Sequence, residues 1–309
     1  MTAAQQGPTL GVDAPPDLRP ATRPAKGILW LASYPKSGNT WTRAFLHNLF
    51  GLLEGNDTEY DINKINEFTT WDISAQAYRR HMNEAPSNEN KALIAATRPK
   101  VQADIVARTN GLAIVKTHHA LVEDRGYPVI NFAVTSGAVY VVRNPLDVAI
   151  SFAHHMGSDI DTAIEHMAIE NYETPVTDKS VYEVYGSWSR HVESWTRRPH
   201  RAIHIMRYED MLEDPTKAFG KLARFLLLAP TAQQLNTAID RASFKRLQEQ
   251  EAAHGFREKP ESAKSFFREG RAGQWREQLS RRQIRKIVKT HRKQMTRFDY
   301  LTKELTHLT

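Results

Sequence analysis

The chain has 309 residues, 40% hydrophobic and 25% charged, the makeup of a soluble globular protein large enough to bury a full core. It contains no cysteine, which excludes a disulfide framework, a thiolate nucleophile and thiolate metal sites; lacking a run of about 20 apolar residues or a signal-peptide pattern, it is expected to have no membrane span and to reside in the cytoplasm. The formal net charge of +7 points to an anionic substrate or partner, although nine Lys and Arg residues are concentrated between Arg276 and Arg297.

Residues 1–26 hold Pro8, Pro15, Pro16, Pro20 and Pro24 with little aliphatic bulk, and read as a disordered leader ahead of a single domain, 27–309. Ile28 to Ser33 is a continuous apolar run suited to a buried parallel strand. After Gly38, the spacing of Trp41, Phe45, Leu46, Leu49 and Phe50 predicts a helix through Leu53. Glu54 to Arg108 is polar and irregular, and reads as short helices and loops. Leu112 to Val115 predicts a second strand, ending in Lys116-Thr117-His118-His119, and Ala138 to Val142 a third, ending in Arg143-Asn144-Pro145. A helix from Leu146 to Met156 follows, with Asn144 as N-cap, Pro145 at the first helical position and Asp147 in the first turn. Val181 to Arg197 reads as a helix, Ala202 to Met206 as a fourth strand, and the chain from Pro215 onward as mostly helical, broken by a glycine-bearing loop from Phe266 to Gly273. In the basic segment, Ile284, Ile287, Val288, Met295 and Phe298 recur at helical spacing, so an amphipathic helix with a solvated basic face is preferred over a nucleic-acid stripe. The fold class is α/β, a central parallel sheet flanked by helices, with ligands expected beyond the carboxyl ends of the strands.

Tyr34 to Trp41 places a lysine, a glycine and two hydroxyls on a turn between a buried strand and a helix start, where free N–H groups and the helix dipole favour an anion. Two glycines with four residues between them, followed by Lys and Ser or Thr, the nucleotide-triphosphate pattern, are missing. The third strand ends in Arg143, a fixed positive fork, where a magnesium-holding aspartate would serve an NTPase. Ser151 lies two turns into the next helix, placed to join Arg143 on one phosphate. His154 and His155 diverge on a helix and complete no metal site, so no metal is expected. His118 and His119 follow the second strand and on an extended chain point to opposite faces.

Tyr34-Pro35-Lys36-Ser37-Gly38-Asn39-Thr40-Trp41, Arg143 to Ser151, and Phe267 to Trp275 resemble, in order and spacing, three signatures of the cytosolic-type sulfotransferases, which use 3′-phosphoadenosine 5′-phosphosulfate (PAPS) and release 3′-phosphoadenosine 5′-phosphate (PAP). Lys116-Thr117-His118 resembles the family's catalytic lysine and histidine segment, and Arg207-Tyr208-Glu209-Asp210 its adenine-side tyrosine segment. The resemblance runs from about Ile28 to Trp275 and implies the P-loop-like sulfotransferase fold. It implies that Lys36, Ser37, Gly38, Asn39, Thr40 and the Trp41 backbone grip the 5′-phosphosulfate. Trp41, Tyr208 and Phe244, in Ser243-Phe244, would hold the adenine, while Arg143 and Ser151 take the 3′-phosphate, assisted by Arg268 and the backbone near Gly270, with Phe267 also binding the cofactor. His118 would be the base toward an acceptor hydroxyl, with an amine as the lesser alternative, and Lys36 and Lys116 would offset charge at the transferred group without a metal. The partner is then a small-molecule or natural-product acceptor, with no nucleic acid expected. Glu269 stands where animal members commonly carry lysine, Asn39 where threonine is usual, and the short valine-bearing dimer motif is not recognisable in Arg276 to Arg285, which leaves the oligomeric state open. A small-molecule or nucleotide kinase and a non-catalytic polyanion-binding module are the alternatives.

Overall fold

A computed structural model of the chain describes residues 26–260 and 263–308. The proline-rich leader therefore lies outside the described residues, except for Lys26. The apolar run after it forms β1 (Gly27–Ser33), buried at every position. Six further strands follow among the described residues: β2 (Thr70–Trp71), β3 (Leu112–Thr117), β4 (Glu123–Asp124), β5 (Tyr127–Pro128), β6 (Thr135–Val142) and β7 (Ile203–Arg207). The main sheet has the order β2-β3-β1-β6-β7, while β4 and β5 form a small antiparallel pair. β1 and β3 run parallel, with Gly27 opposite Leu112 and Ala32 opposite Thr117, and β2 runs parallel to β3. The strand expectations at residues 28, 112, 138 and 202 are met within a few residues.

Two expectations are corrected. Within the Glu54 to Arg108 stretch lies an 18-residue helix, Lys91–Arg108, with Pro99 inside it. Its buried face carries Thr97, Arg98 and Gln102 beside Ile94, Ala95 and Val101, so polar residues interrupt the apolar period that marks a helix. The helix expected from Val181 instead spans Trp188–Thr196, capped by the Ser187 hydroxyl, which accepts from the Arg190 N–H. Residues 181–187 are extended: Val181 N–H donates to Ile73 O, Tyr185 N–H to Tyr172 O, and Gly186 turns at φ 63°. That run is buried because it lines other backbone rather than because it is helical.

The chain divides into two compact units. The first comprises the chain up to Tyr34, Thr70–Tyr140 and His166–Ile203. Its interior holds Trp30, Tyr78, Tyr140, Tyr182 and Trp188, together with a polar web. Arg98 pairs with Asp124 at 3.1 Å, both side chains fully buried, and Gln102 donates to Asp72 and to Val129 O at 2.8 Å each. The second unit comprises Pro35–Thr69, Val141–Glu165 and the chain from His204 on. Phe45 and Phe219 stack at its centre, 4.1 Å between ring centroids. There the fully buried Arg43 donates to Thr69, Asn66 and both oxygens of Glu258 at 2.8–3.0 Å. The basic segment forms the helix Arg281–Arg297, started by a Ser280/Gln283 capping box. It buries Ile284, Ile287, Val288 and Met295 and exposes its cations, as the amphipathic reading requires. Arg282 and Lys286 pair with Asp161 and Glu165. Among the described residues no helix is long and apolar enough to cross a membrane.

Candidate active site

In the second unit, the chain leaving β1 turns through Lys36 at φ 66° and Gly38 at φ 109° before the helix Asn39–Leu53 begins. Gly38 occupies the N-cap, so no side chain caps the first turn, the arrangement in which main-chain N–H groups and the helix dipole favour an anion. The Ser37 hydroxyl is fully buried and makes no hydrogen bond. A Cβ on Gly38 would lie 2.8 Å from the Tyr208 ring, so this backbone approach requires glycine. Tyr208 also meets the Trp41 ring edge-on at 5.6 Å, and the Lys36 ammonium sits 4.1 Å over Phe266. Asn39 is buried, and Thr40 and Trp41 are half-buried.

Arg143 follows directly on β6. Its guanidinium donates to Lys36 O at 3.0 Å and Arg271 O at 3.3 Å and lies 4.2 Å over the Tyr208 ring, while its buried Nε has no partner. Asn144 caps the helix Pro145–Met156 as expected, accepting from the Leu146 N–H, and Ser151 is half-buried within that helix. Asp147 does more than complement the helix dipole: its carboxylate accepts the N–H groups of Gly273 at 2.7 Å and Trp275 at 3.1 Å, pinning the glycine loop. In that loop Gly270 stands at φ 60°, and a Cβ there would lie 2.2 Å from the Phe244 ring. Phe244 meets the buried Phe267 edge-on, and Ser243 caps the helix Phe244–His254. Arg268 donates to Glu269 and Gln274, and Glu269 also receives Arg271. Gly38 and Gly270, each at positive φ, are thus pressed against aromatic rings.

In the first unit, Lys116 lies in β3 with its ammonium 4.9 Å over Trp71, and His118 comes just beyond the strand end. His118 Nδ1 lies 2.8 Å from Ser33 O and 3.3 Å from Ser33 Oγ; since a carbonyl only accepts, the shorter contact is an Nδ1–H donation, which leaves the basic lone pair on Nε2. The His118 main chain is held on both sides: its N–H donates to Glu183 Oε1 at 3.1 Å, and its C=O accepts from His191 Nε2 at 3.1 Å. Burial pushes His191 down to about 3, so it stays neutral, and its Nδ1 accepts from the Tyr140 hydroxyl at 2.9 Å. His119 is different. It is fully buried, its Nδ1 accepts the Val184 N–H at 2.9 Å, and burial drives its pKa far below the ordinary imidazole value. That environment suits a packed structural histidine and leaves His118 as the candidate base.

Over residues 27–299 the chain matches the sulfotransferase domain family. It belongs to that family. Mouse sulfotransferase 1E1 is 26% identical to it over 261 residues, covering 80% of this chain and 76% of the mouse protein. Dog sulfotransferase 1A1 is also 26% identical, over 254 residues with the same coverage. Among solved structures, retinol dehydratase with androsterone and PAP superposes with a TM-score of 0.61 at 18% identity, covering 87% of this chain and 80% of that one, which shows a shared fold. This sulfotransferase uses PAPS as its sulfuryl donor. The second unit has the features such a donor needs: an uncapped helix start, a buried hydroxyl without a partner, an arginine with a spare buried N–H, and glycines that let aromatic rings close on the loops.

Of the residues the sequence singled out, Lys36, Gly38, Trp41, Arg143 and Tyr208 are joined by direct contacts, and Phe244, Phe267 and Gly270 form a second contact group. Sequence reasoning did not connect Ser33, Glu183 and His191 to His118, nor Asp147 to the glycine loop. For Asp147 the signal was present, since its position was read only for the helix dipole; for Glu183 and His191 no local pattern links them to His118, 65 and 73 residues away.

Proposed function

We propose that this sulfotransferase acts in the cytoplasm as a single catalytic domain and sulfates a hydroxyl of a small-molecule acceptor, with His118 as the base that receives the hydroxyl proton. The observation that carries this reading is the His118 Nδ1–H donated to Ser33 O, which presents Nε2 as an acceptor. PAPS supplies the sulfuryl group and departs as PAP. As the acceptor oxygen bonds to sulfur and the bridging oxygen leaves, the acceptor proton goes to His118 Nε2, help worth about 10²–10⁴ in rate. Lys36 and Lys116 offset the charge on the sulfuryl and leaving oxygens, doing by side-chain cations what phosphoryl transfer entrusts to magnesium. Ser37, Gly38, Asn39, Thr40 and Trp41 hold the 5′ group; Arg143 and Ser151, with Arg268 and the Gly270 backbone, hold the 3′-phosphate; and Trp41, Tyr208, Ser243, Phe244 and Phe267 enclose the adenine. Relatives whose names or structures carry 3-beta-hydroxysteroid and androsterone favour a compact alcohol as acceptor class. Arg143, in place of a metal-holding carboxylate, argues against the kinase alternative.

The test is a thermal-shift titration with PAP and, separately, with ATP plus magnesium, on the wild type, Arg143→Ala and His118→Ala. PAP at about 100 times its Kd should stabilise the wild type by roughly 2.7 kcal/mol. The gain should shrink in Arg143→Ala and persist in His118→Ala, whose turnover should be lost. Stabilisation by ATP and magnesium alone, or full turnover in His118→Ala, would overturn the reading.

A further inference from the structure

Glu183 is a buried acid to which the roles above assign no task. It is 9% exposed, and each carboxylate oxygen is engaged: Oε1 accepts the His118 main-chain N–H at 3.1 Å, and Oε2 the Tyr185 hydroxyl at 3.0 Å. Its backbone is fixed as well, donating to Thr174 Oγ1 at 2.8 Å and accepting the Thr174 N–H at 3.0 Å. A neutral glutamine could keep both contacts, its Oε1 accepting the His118 N–H and its Nε2 donating to the Tyr185 hydroxyl oxygen. Hydrogen bonding alone therefore leaves unexplained why a charged group is buried there, against the desolvation penalty that buried ions carry.

The surrounding charges supply the reason. His118 follows β3 by one residue and Lys116 lies within it; burial raises the Glu183 pKa, and the Lys116 ammonium, the His118 N–H and the Tyr185 hydroxyl oppose that rise and favour its charged form. When His118 takes a proton, a second positive charge forms two residues from Lys116, and a neighbouring like charge lowers the proton affinity of a base. Several neighbouring groups carry no charge that would relieve this. His119 and His191 are held neutral by burial, the hydroxyls of Tyr34, Tyr140 and Tyr185 are kept protonated by it, and Asp72, pushed up to about 7 by burial, is committed to Gln102. Glu183 is the carboxylate hydrogen-bonded to His118 itself. We propose that Glu183 is a positioning residue for the proton transfer: it holds the His118 main chain and supplies the negative charge that lets an imidazolium form beside Lys116. The inference rests on the reading of His118 as the base.

The test follows the imidazole of His118 by NMR in the full-length, [15N]histidine-labelled protein saturated with PAP, its signal assigned by its loss in His118→Ala. In Glu183→Gln the midpoint should fall by about one pH unit, with PAP affinity unchanged. Glu183→Asp keeps the charge and retracts it by one methylene, so its midpoint should fall by less. A role confined to hydrogen bonding would leave the Gln midpoint at the wild-type value, and that result overturns the proposal. Should Glu183→Gln fail to fold, Glu183→Asp decides: a drop of a few tenths supports the proposal and an unchanged midpoint overturns it. Full turnover in His118→Ala would instead remove the base assignment, whatever the midpoints do, so the two failures are distinguishable.

Discussion

Gly270→Ala isolates the close approach on which the late loop depends. Two terms add. Holding an L-residue at φ 60° costs about 1–2 kcal/mol. The new Cβ would also stand 2.2 Å from Phe244 Cγ. Since carbon atoms rest at about 3.5–4.0 Å, the ring must retreat by more than about 1 Å. Phe244 opens its helix and packs edge-on against Phe267, so that retreat is an overpacking strain of about 1–3 kcal/mol. If the loop relieves the strain by leaving its place, PAP affinity should fall by between about thirty-fold and a few thousand-fold, about 2–5 kcal/mol in all. The assay is isothermal titration with PAP, alongside Gly55→Ala as control. Gly55 has φ 81° with nothing within 4 Å of its Cβ, so that variant carries the backbone term without the collision and, lying in a different turn, should keep its affinity. Affinity within threefold of wild type in Gly270→Ala, with an unchanged melting temperature, would refute the reasoning.

Arg43→Met should destabilise the fold by about 3–5 kcal/mol, because it removes the buried guanidinium that pairs with both oxygens of the Glu258 carboxylate, whose side chain is 6% exposed; the melting temperature should drop by roughly 10 °C and partly recover in Arg43→Met/Glu258→Leu. A single variant melting within 2 °C of wild type would contradict this. His291 is held neutral by burial, with its pKa pushed down to about 3. The unfolded chain binds a proton there near pH 6.5 and the folded chain does not, so this stabilisation is present above about pH 6.5 and is lost as the pH falls toward 3. Relative to its own value at pH 7.5, His291→Leu should therefore gain on the wild type by about 2–3 kcal/mol at pH 4.5, read by denaturant melts; a pH-independent difference would refute it.

The sheet and the donor loops were legible because their signals are local. A continuous apolar run names β1, a glycine in a polar turn names the loop after it, and the Asn144-Pro145 pair names a helix start. The helix Lys91–Arg108 was hidden for the opposite reason. Arg98 and Gln102 face inward to serve Asp124 and Asp72, so the stripe that should have been apolar is polar, and the partners that make it tolerable lie 26 and 30 residues away. The surroundings of His118 were illegible in the same way. Ser33, Glu183 and His191 reach it from three separate stretches of chain, and no spacing rule connects them. Lys116 and His118 could be named only because a segment of three residues resembles that of a family.

The carboxylate of Asp147 has a consequence for the order in which the protein matures. It is 2% exposed and is satisfied by two main-chain N–H groups 126 and 128 residues further along the chain. Such a ring closes only after most of the polypeptide exists, and bringing distant segments together is the slow step of chain collapse. A nascent chain that has emerged only as far as β7 already has its sheet sequence and its first glycine loop, yet the Asp147 carboxylate still waits in water. Donor affinity should therefore appear late in synthesis, with the arrival of residues 270–275, and the ability to hold PAP becomes a reporter that the final third of the chain has docked.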